Sequence, residues 1–336
     1  MIESKGMFNI IPLTTERQVM PEDVSILERL KNVFRITYTL TFVMASLTGL
    51  AFALTLNAEY FVAFLIALDV FVLALFVNFS NDYFDYVSDA DQTRFTSDDK
   101  EWEKGAREIL GSKIYWSGNA FDLGYITKKQ GKIVMAVLAT IAVLLSIPIV
   151  SYAGWIVVVL GLIAFFVSFF YTAPPLNLGA RGFGEIDVFV SFFMMSFFSF
   201  FVIVQELNIQ MIFIATIIGL SVALMRIVDE MSGYEAHLKA GEKDVCVRFG
   251  LENAARIVTG MFVMVYVLSL LLLVYDFTYL LIFLSLPFAV RTATYLNDKK
   301  DRFRFVRPTP EVFKFVFVLQ LLVIVSLIVQ TVLTSA

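Results

Sequence analysis

The sequence predicts an all-α membrane protein: nine helices cross the bilayer and an active-site cleft opens to the cytoplasm. Three observations carry that prediction. Of the 336 residues, 59% are hydrophobic, only 17% are charged, and 35 are Phe; soluble domains run at roughly 45–50% apolar and about 25% charged. Apolar stretches of bilayer-crossing length recur along the chain. Every Lys and Arg falls in segments that alternate crossing would put on one side.

Taken in chain order, residues 1–35 are polar, lack the apolar core of a signal peptide, and read as a cytoplasmic N-terminal segment. Residues 36–335 read as one domain, with spans near 36–56, 61–77, 133–153, 155–173, 186–204, 210–228, 257–275, 279–296 and 312–334. Each span holds enough residues to cross a hydrocarbon core of about 30 Å. The links NAEY (57–60), SYAG (151–154), QELN (205–208) and YDFT (275–278) contain no Lys or Arg. All 26 basic residues lie in the N-terminal segment or in 81–132, 174–185, 226–256 and 291–314. Cytoplasmic loops carry the Lys and Arg excess. The expectation is a multi-pass protein of the cell membrane, N-terminus cytoplasmic and C-terminus external.

Rare residues exclude some chemistry. One cysteine, Cys246, leaves no disulfide framework or cysteine metal cluster, and one histidine, His237, leaves no multi-histidine site. GxGxxG, GxxxxGK[ST] and a sustained basic stripe are all missing, so neither a nucleotide fingerprint nor nucleic acid as a partner is indicated.

The informative stretch is NFSNDYFDYVSDAD, residues 78–91, directly after the second span. On a helix, Asp82, Asp85 and Asp89 lie within about 40° of Asn78, and Asn81 about 60° away. A helix continuing out of the membrane presents a column of oxygen ligands. Closely packed carboxylates repel one another unless a positive charge sits among them. Hard oxygen donors select Mg²⁺ or Ca²⁺, and Mg²⁺ commonly shares its shell with phosphates. The plainer alternative is a solvated polar extension. Asp91 sits off the column. Asp69, nine residues before Asn78, falls mid-span on the opposite side of the helix, with no role assigned.

Two further polar segments share that side: YTAPPLNLGARGFGE (171–185) and the stretch from Arg226 to Gly250. Three such loops on one face suggest one site. The charged excursion 92–131 contains AREIL within a short helical pattern and reads either as a lid or as an ordinary interfacial loop.

NDYFDYVSD fits NDxxDxxxD and resembles the UbiA superfamily of intramembrane prenyltransferases. YTAPPLNLGARGFGE is similar to the family's loop between spans 4 and 5, and GEKDVCVRFG (241–250) to the end of its second acidic loop. The spacing of Asn78, Asn81, Asp82, Asp85 and Asp91, with RGFGE, looks most like the menaquinone branch, whose acceptor is dihydroxynaphthoate. The resemblance covers roughly 35–335 and implies nine helices, Mg²⁺ as cofactor, and a polyprenyl diphosphate donor met within the lipid bilayer. It also implies an aromatic quinone precursor as acceptor, dihydroxynaphthoate-like or 4-hydroxybenzoate-like.

Carried onto this chain, the resemblance makes Asn81, Asp82, Asp85 and Asp89 metal ligands, and a second metal falls either to Asp229 with help from Glu235 or His237, or to a locally shifted register, or to a weakened site; Asp85, Asp89 and Asp229 are the residues expected to be central to catalysis. Asn78, Asp91, Tyr171, Arg181, Arg226, His237 and Lys243 are expected to meet substrate. The chain departs from the family at the second motif. Gly233 and His237 stand where two aspartates belong, and Asp229, Glu230 and Glu235 are displaced from that register. His237 reads either as a metal ligand or base or as a solvated capping histidine. A glycerophosphate-type or isoprenoid lipid is the alternative acceptor. A cation or solute transporter, using Asp69 and the acidic column, would need inverted repeats and charges inside several spans.

Overall fold

Where no water competes for them, backbone amides must bond within their own segment, so a chain this apolar folds as helices. The computed structural model describes residues 30–31, 33–87, 100–110, 120–121 and 124–335, and among these every regular element is helical. In order they are α1 (Ile36–Leu56), α2 (Tyr60–Val87), α3 (Lys100–Leu110), α4 (Lys128–Ala153), α5 (Ile156–Phe169), a π turn (Gly179–Phe183) and α6 (Gly184–Val204). Then come α7 (Ile209–Ser232), α8 (Tyr234–Ala240), α9 (Val245–Phe249), α10 (Leu251–Leu272), a 3₁₀ segment (Phe277–Ser285), α11 (Leu286–Asn297) and α12 (Pro308–Ser335).

Among the described residues, eight helices are long and apolar enough to cross a membrane. The protein is a multi-pass membrane protein. The fourth expected span, 155–173, differs from its prediction. α5 has 14 residues, about 21 Å at 1.5 Å per residue, short of a core about 30 Å thick. The chain turns back after Phe170: the Leu178 amide donates to the Phe170 carbonyl and the Gly179 amide to the Tyr171 carbonyl, each at 3.0 Å. Pro174 and Pro175, joined by a cis peptide, lack the donors that would continue a helix.

α2 meets its expectation as far as Val87, the last described residue of that helix. It runs unbroken for 28 residues, from the apolar second span into NFSNDYFDYV. The helical pattern around AREIL is also realised, as α3. Gly105 of α3 lies against the Phe303 ring, Trp102 stacks on that ring at 6.3 Å, and Ala106 packs with Val306. The excursion is thus anchored to the segment between α11 and α12.

α1 packs against α2, α6, α7 and α12. Small residues bring α1 close to α6: Gly49 faces the Ser196 carbonyl, and a Cβ there would overlap it. The Ser46 and Ser199 hydroxyls meet at 2.8 Å, and those of Thr48 and Ser196 at 3.2 Å. Such close, polar-stitched contacts are how helices associate where lipid removes the hydrophobic drive. The same packing sets the spacing of the ends that carry the polar loops. Phe61, Phe64, Leu144, Leu162 and Val263 stay exposed on the outside of the bundle, a surface suited to lipid.

Candidate active site

The polar end of α2 is buried. Asn78 is 5% exposed, Asp82 1% and Asp85 9%, an expensive arrangement unless each group is paired. Their partners come from elements distant in sequence. Arg35, immediately before α1 with a left-handed backbone (φ 43°), places Nη2 2.5 Å from Asp82 Oδ1. Asn78 Nδ2 donates to Thr39 Oγ1 at 3.0 Å, and Thr39 donates to the Phe34 carbonyl at 3.1 Å. Asn81 Oδ1 accepts from Thr172 Oγ1 at 2.7 Å. Asp89 and Asp91 lie outside the described residues.

That last bond ties α2 to the turn after α5, and the same turn reaches α7. The Arg226 guanidinium sits 5.8 Å from the Tyr171 ring centroid and pairs through Nε with Glu230 at 2.7 Å. Asp229 and Glu242 lie within electrostatic reach of Arg226. Neighbouring residues Tyr171 and Thr172 therefore connect the first acidic stretch with the end of α7.

The end of α7 is the second polar centre. Gly233 ends the helix, and α8 folds back so that His237 Nε2 lies 3.0 Å from where a Gly233 Cβ would stand. His237 is 8% exposed, and its Nδ1 meets Asp244 Oδ2 at 2.7 Å and Glu242 at 3.5 Å. Asp244 also caps α9, accepting the Val247 amide at 2.8 Å. Burial pushes the Asp244 carboxyl up. The hydrogen bonds from His237 and Val247, with the charges of His237 and Arg226, outweigh burial and hold it below the usual carboxylate range. Burial and the surrounding carboxylates push the Cys246 thiol well above the usual range.

The third loop closes on the second. Glu185, 8% exposed in the first turn of α6, accepts the Val245 amide at 2.6 Å. Arg248 Nη2 donates to the Arg181 carbonyl at 3.2 Å. Gly182, at φ +87°, lies against the Lys243 carbonyl and the Arg248 guanidinium, with no room for a Cβ.

Of the residues expected to form the site, Asn78, Asn81, Asp82 and Asp85 share one buried helix end. Tyr171, Arg226, Asp229 and His237 gather on the facing side. Glu235 and Lys243 are exposed. Arg181 is also exposed and donates to the Pro175 carbonyl at 2.9 Å. Asp69 is half-buried in mid-α2, its Oδ1 without a hydrogen-bond partner among the described residues. Sequence reasoning missed Arg35, Thr172, Glu185 and Asp244. Arg226–Glu230 had a readable signal, opposite charges four apart on a helix.

The buried oxygens of α2 fit a hard divalent cation. A carboxylate pair one turn apart, flanked by two amides, supplies oxygen donors alone, and the structure already places a cation, Arg35, on Asp82.

Known proteins resemble this chain in sequence or in fold. The sequence model of the UbiA prenyltransferase family matches residues 123–326. The 1,4-dihydroxy-2-naphthoate octaprenyltransferase of Bacillus subtilis is 28% identical over 130 residues, 38% of this chain and 41% of that protein. The 2-carboxy-1,4-naphthoquinone phytyltransferase of Synechocystis is 26% identical over 152 residues, 44% of this chain and 50% of that protein. The chain thus spans half or less of the length of these curated relatives. Among solved structures, a UbiA homolog from Archaeoglobus fulgidus bound to DMAPP and Mg²⁺ superposes with TM-score 0.63 at 16% identity, covering 88% of this chain and 99% of that one. A digeranylgeranylglyceryl phosphate synthase gives TM-score 0.59 at 17% identity, covering 90% and 99%. At such identities the likeness is one of fold.

Proposed function

Because this chain belongs to the UbiA prenyltransferase family, we propose that it transfers a polyprenyl group from its diphosphate to an aromatic quinone precursor, dihydroxynaphthoate-like first, in a Mg²⁺-dependent reaction. The observation that carries this reading is the buried oxygen column Asn78–Asp82–Asp85, joined through Thr172 and Tyr171 to Arg226. The partial matches to two naphthoate- and naphthoquinone-prenylating proteins favour an aromatic acceptor.

Asp82, Asp85, Asn81 and, beyond the described residues, Asp89 would hold Mg²⁺ on the α2 side, with Asp229 facing them from α7. When bound, Mg²⁺ neutralises the diphosphate as it leaves. The chain's own residues do the rest. Thr172 holds the Asn81 amide with its oxygen committed in one direction. Arg226, fixed by Glu230 and Tyr171, offers a preorganised cation to the departing anion. Asn78, Tyr171 and His237 line the approach, while Arg181 and Lys243 attract the anionic donor from the surface. As the allylic C–O bond breaks, the acceptor ring supplies the electron pair of the new C–C bond and then loses a proton. On the other side of α2, Phe84 meets Phe169 edge to face at 5.5 Å and Phe76 stacks on Phe169 at 6.1 Å, which fixes the helix that carries the column.

The cleft opens to the cytoplasm under this reading, with the C-terminus outside, and the 92–131 excursion roofs it. The docking of α3 on Phe303 and Val306 gives that roof its anchor. Excluding water there protects the cation from hydrolysis. The test is diphosphate release by purified protein in detergent with geranylgeranyl diphosphate, with and without dihydroxynaphthoate. Release stimulated by acceptor, abolished by chelator and by Asp85→Ala, supports the reading; acceptor-independent release equal in the variant refutes it.

A further inference from the structure

We infer that Asp187 and Ser191 form the subsite for a hydroxyl group of the aromatic acceptor and so set the preference among hydroxylated rings. The inference rests on the proposed prenyl transfer for its ligand; the two side chains are singled out by geometry alone.

Both belong to α6, an apolar helix long enough to cross the membrane. Asp187 is 5% exposed, and its Oδ1 has no hydrogen-bond partner among the described residues. Ser191, one turn further into the bundle, is 7% exposed, and its Oγ has none either. Burying a polar group without a partner is costly, and an acid so placed in a spanning helix marks a functional position. The serine is as unusual as the acid. A helical Ser or Thr commonly bonds the carbonyl three or four residues back. Ser199 does so to Met195 on this same helix, and Ser269 to Val265 on α10. Ser191 takes no such bond. At positions i and i+4 the two groups are neighbours, one polar spot in an apolar wall.

The face they occupy leads to the site. Ser196 and Ser199 turn toward α1, where they meet Thr48 and Ser46. Asp187 stands about 180° and Ser191 about 140° round the helix from Ser196, away from that seam. Both lie within about 60° of Gly184, the first residue of α6, and a Cβ added at Gly184 would stand 3.6 Å from Tyr171 Oη. The stripe Gly184–Asp187–Ser191 therefore begins at the Tyr171 hydroxyl and runs roughly 10 Å into the membrane. Tyr171 sits 5.8 Å from the Arg226 guanidinium, and its neighbour Thr172 holds Asn81. The polar spot thus lies on the membrane side of the proposed diphosphate site, where a ring must stand to meet the allylic carbon of a donor whose tail is in lipid.

The chemistry of the pair selects a hydroxylated ring. A carboxyl oxygen accepts from a phenolic hydroxyl, and the serine hydroxyl both donates and accepts. A ring without hydroxyls leaves both groups unpaired, and a site built to bond a substrate hydroxyl discriminates against the analogue that lacks it.

The test reads acceptor binding apart from turnover. Full-length protein in detergent, with Mg²⁺ and a non-hydrolysable geranylgeranyl diphosphate analogue, is titrated with 1,4-dihydroxy-2-naphthoate and with the two naphthoates that lack one hydroxyl, followed by ligand fluorescence. The unaltered protein should bind the dihydroxy compound about 10-fold or more tightly than one of the monohydroxy compounds, the worth of one buried hydrogen bond. Asp187→Leu should erase that preference and raise the acceptor KM by the same factor while the donor KM stays unchanged; Asp187→Asn, which keeps an amide oxygen, should retain most of it. Ser191→Ala should weaken the dihydroxy compound about fivefold and carries the comparison if the Leu variant fails to fold. Maleimide labelling of buried Cys246 checks the fold: replacing an unpartnered carboxyl with Leu leaves the labelling midpoint unchanged or raised. Prenyl transfer with the same hydroxyl preference in Asp187→Leu, or in Ser191→Ala, as in the unaltered protein overturns the inference and leaves the functional reading intact. Asp187-dependent binding without prenyl transfer to any acceptor upholds the subsite and overturns the functional reading. Protein that binds no hydroxylated naphthoate and transfers no prenyl group overturns both.

Discussion

Replacing Gly182 with alanine should pry apart the two loops that frame the facing side of the site. Gly182 has φ +87°, where an L side chain is strained, and its position abuts the Lys243 carbonyl and the Arg248 guanidinium. The left-handed conformation costs about 1–2 kcal/mol for a residue with a Cβ. Arg248 can swing away, but the Lys243 carbonyl is backbone and must retreat by roughly 1 Å to restore ordinary contact. That retreat stretches the adjacent bond from the Val245 amide to Glu185, now 2.6 Å. A hydrogen bond to a carboxylate contributes about 1.5–3 kcal/mol, so the expected total is about 2.5–5 kcal/mol.

The assay uses Cys246, fully buried and the sole cysteine. Burial keeps its thiol protonated, so maleimide labels it only when the fold opens, and the labelling midpoint in a denaturing-detergent titration reports stability. Gly241→Ala is the control. Gly241 also has positive φ, +72°, but no atom lies within 4 Å of the added Cβ, so it incurs only the strain, about 1–2 kcal/mol. Equal midpoints for the two variants would refute the claim that the 179–185 turn bears on Lys243.

The remaining expectations concern how the halves are joined. Arg35→Gln leaves Asp82 buried without its guanidinium, and Asp82→Asn in the same chain should recover most of the loss; a double-mutant cycle with the same labelling assay should give a coupling of about 1–3 kcal/mol, since Arg35 is partly exposed. Thr172→Val removes the donor to Asn81 and should weaken binding of a non-hydrolysable donor analogue about fivefold, the equivalent of about 1 kcal/mol, by titration calorimetry. Phe303→Ala removes the ring that Trp102 stacks on, and hydrogen exchange over 100–110 should accelerate while exchange in α7 stays unchanged.

How far the sequence could be read follows from the range of the forces involved. α2 was legible because periodicity is local: apolar residues lead into an oxygen column on the same helical face, and nothing between Tyr60 and Val87 breaks the helix. The positions of most loops along the chain were legible for a similar reason, because the apolar runs that they separate are local. α5 was not legible in full. The residues from Phe170 to Ala173 are apolar enough to extend a span, yet amides at Leu178 and Gly179 fold back on Phe170 and Tyr171, a tertiary choice that hydropathy does not register.

The site divides the same way. Asp82 was visible as a candidate metal ligand, but its burial was not, and its partner Arg35 is 47 positions away and looked like one more cytoplasmic charge. The displaced second motif read as a deficit, with Gly233 and His237 in place of acids. The structure shows how the two belong together: the ring of one occupies the space left by the other, and Asp244, seven residues on, holds the ring in place.

The most direct test of the central claim is product identification. Purified protein with Mg²⁺ and geranylgeranyl diphosphate is offered dihydroxynaphthoate, 4-hydroxybenzoate and a glycerophosphate acceptor in one mixture, and products are read by mass spectrometry beside Asp85→Ala. The account predicts a prenylated aromatic product, dihydroxynaphthoate before 4-hydroxybenzoate, that is absent in the variant. A prenylated glycerophosphate alone, or no product under conditions where the donor binds, would contradict it.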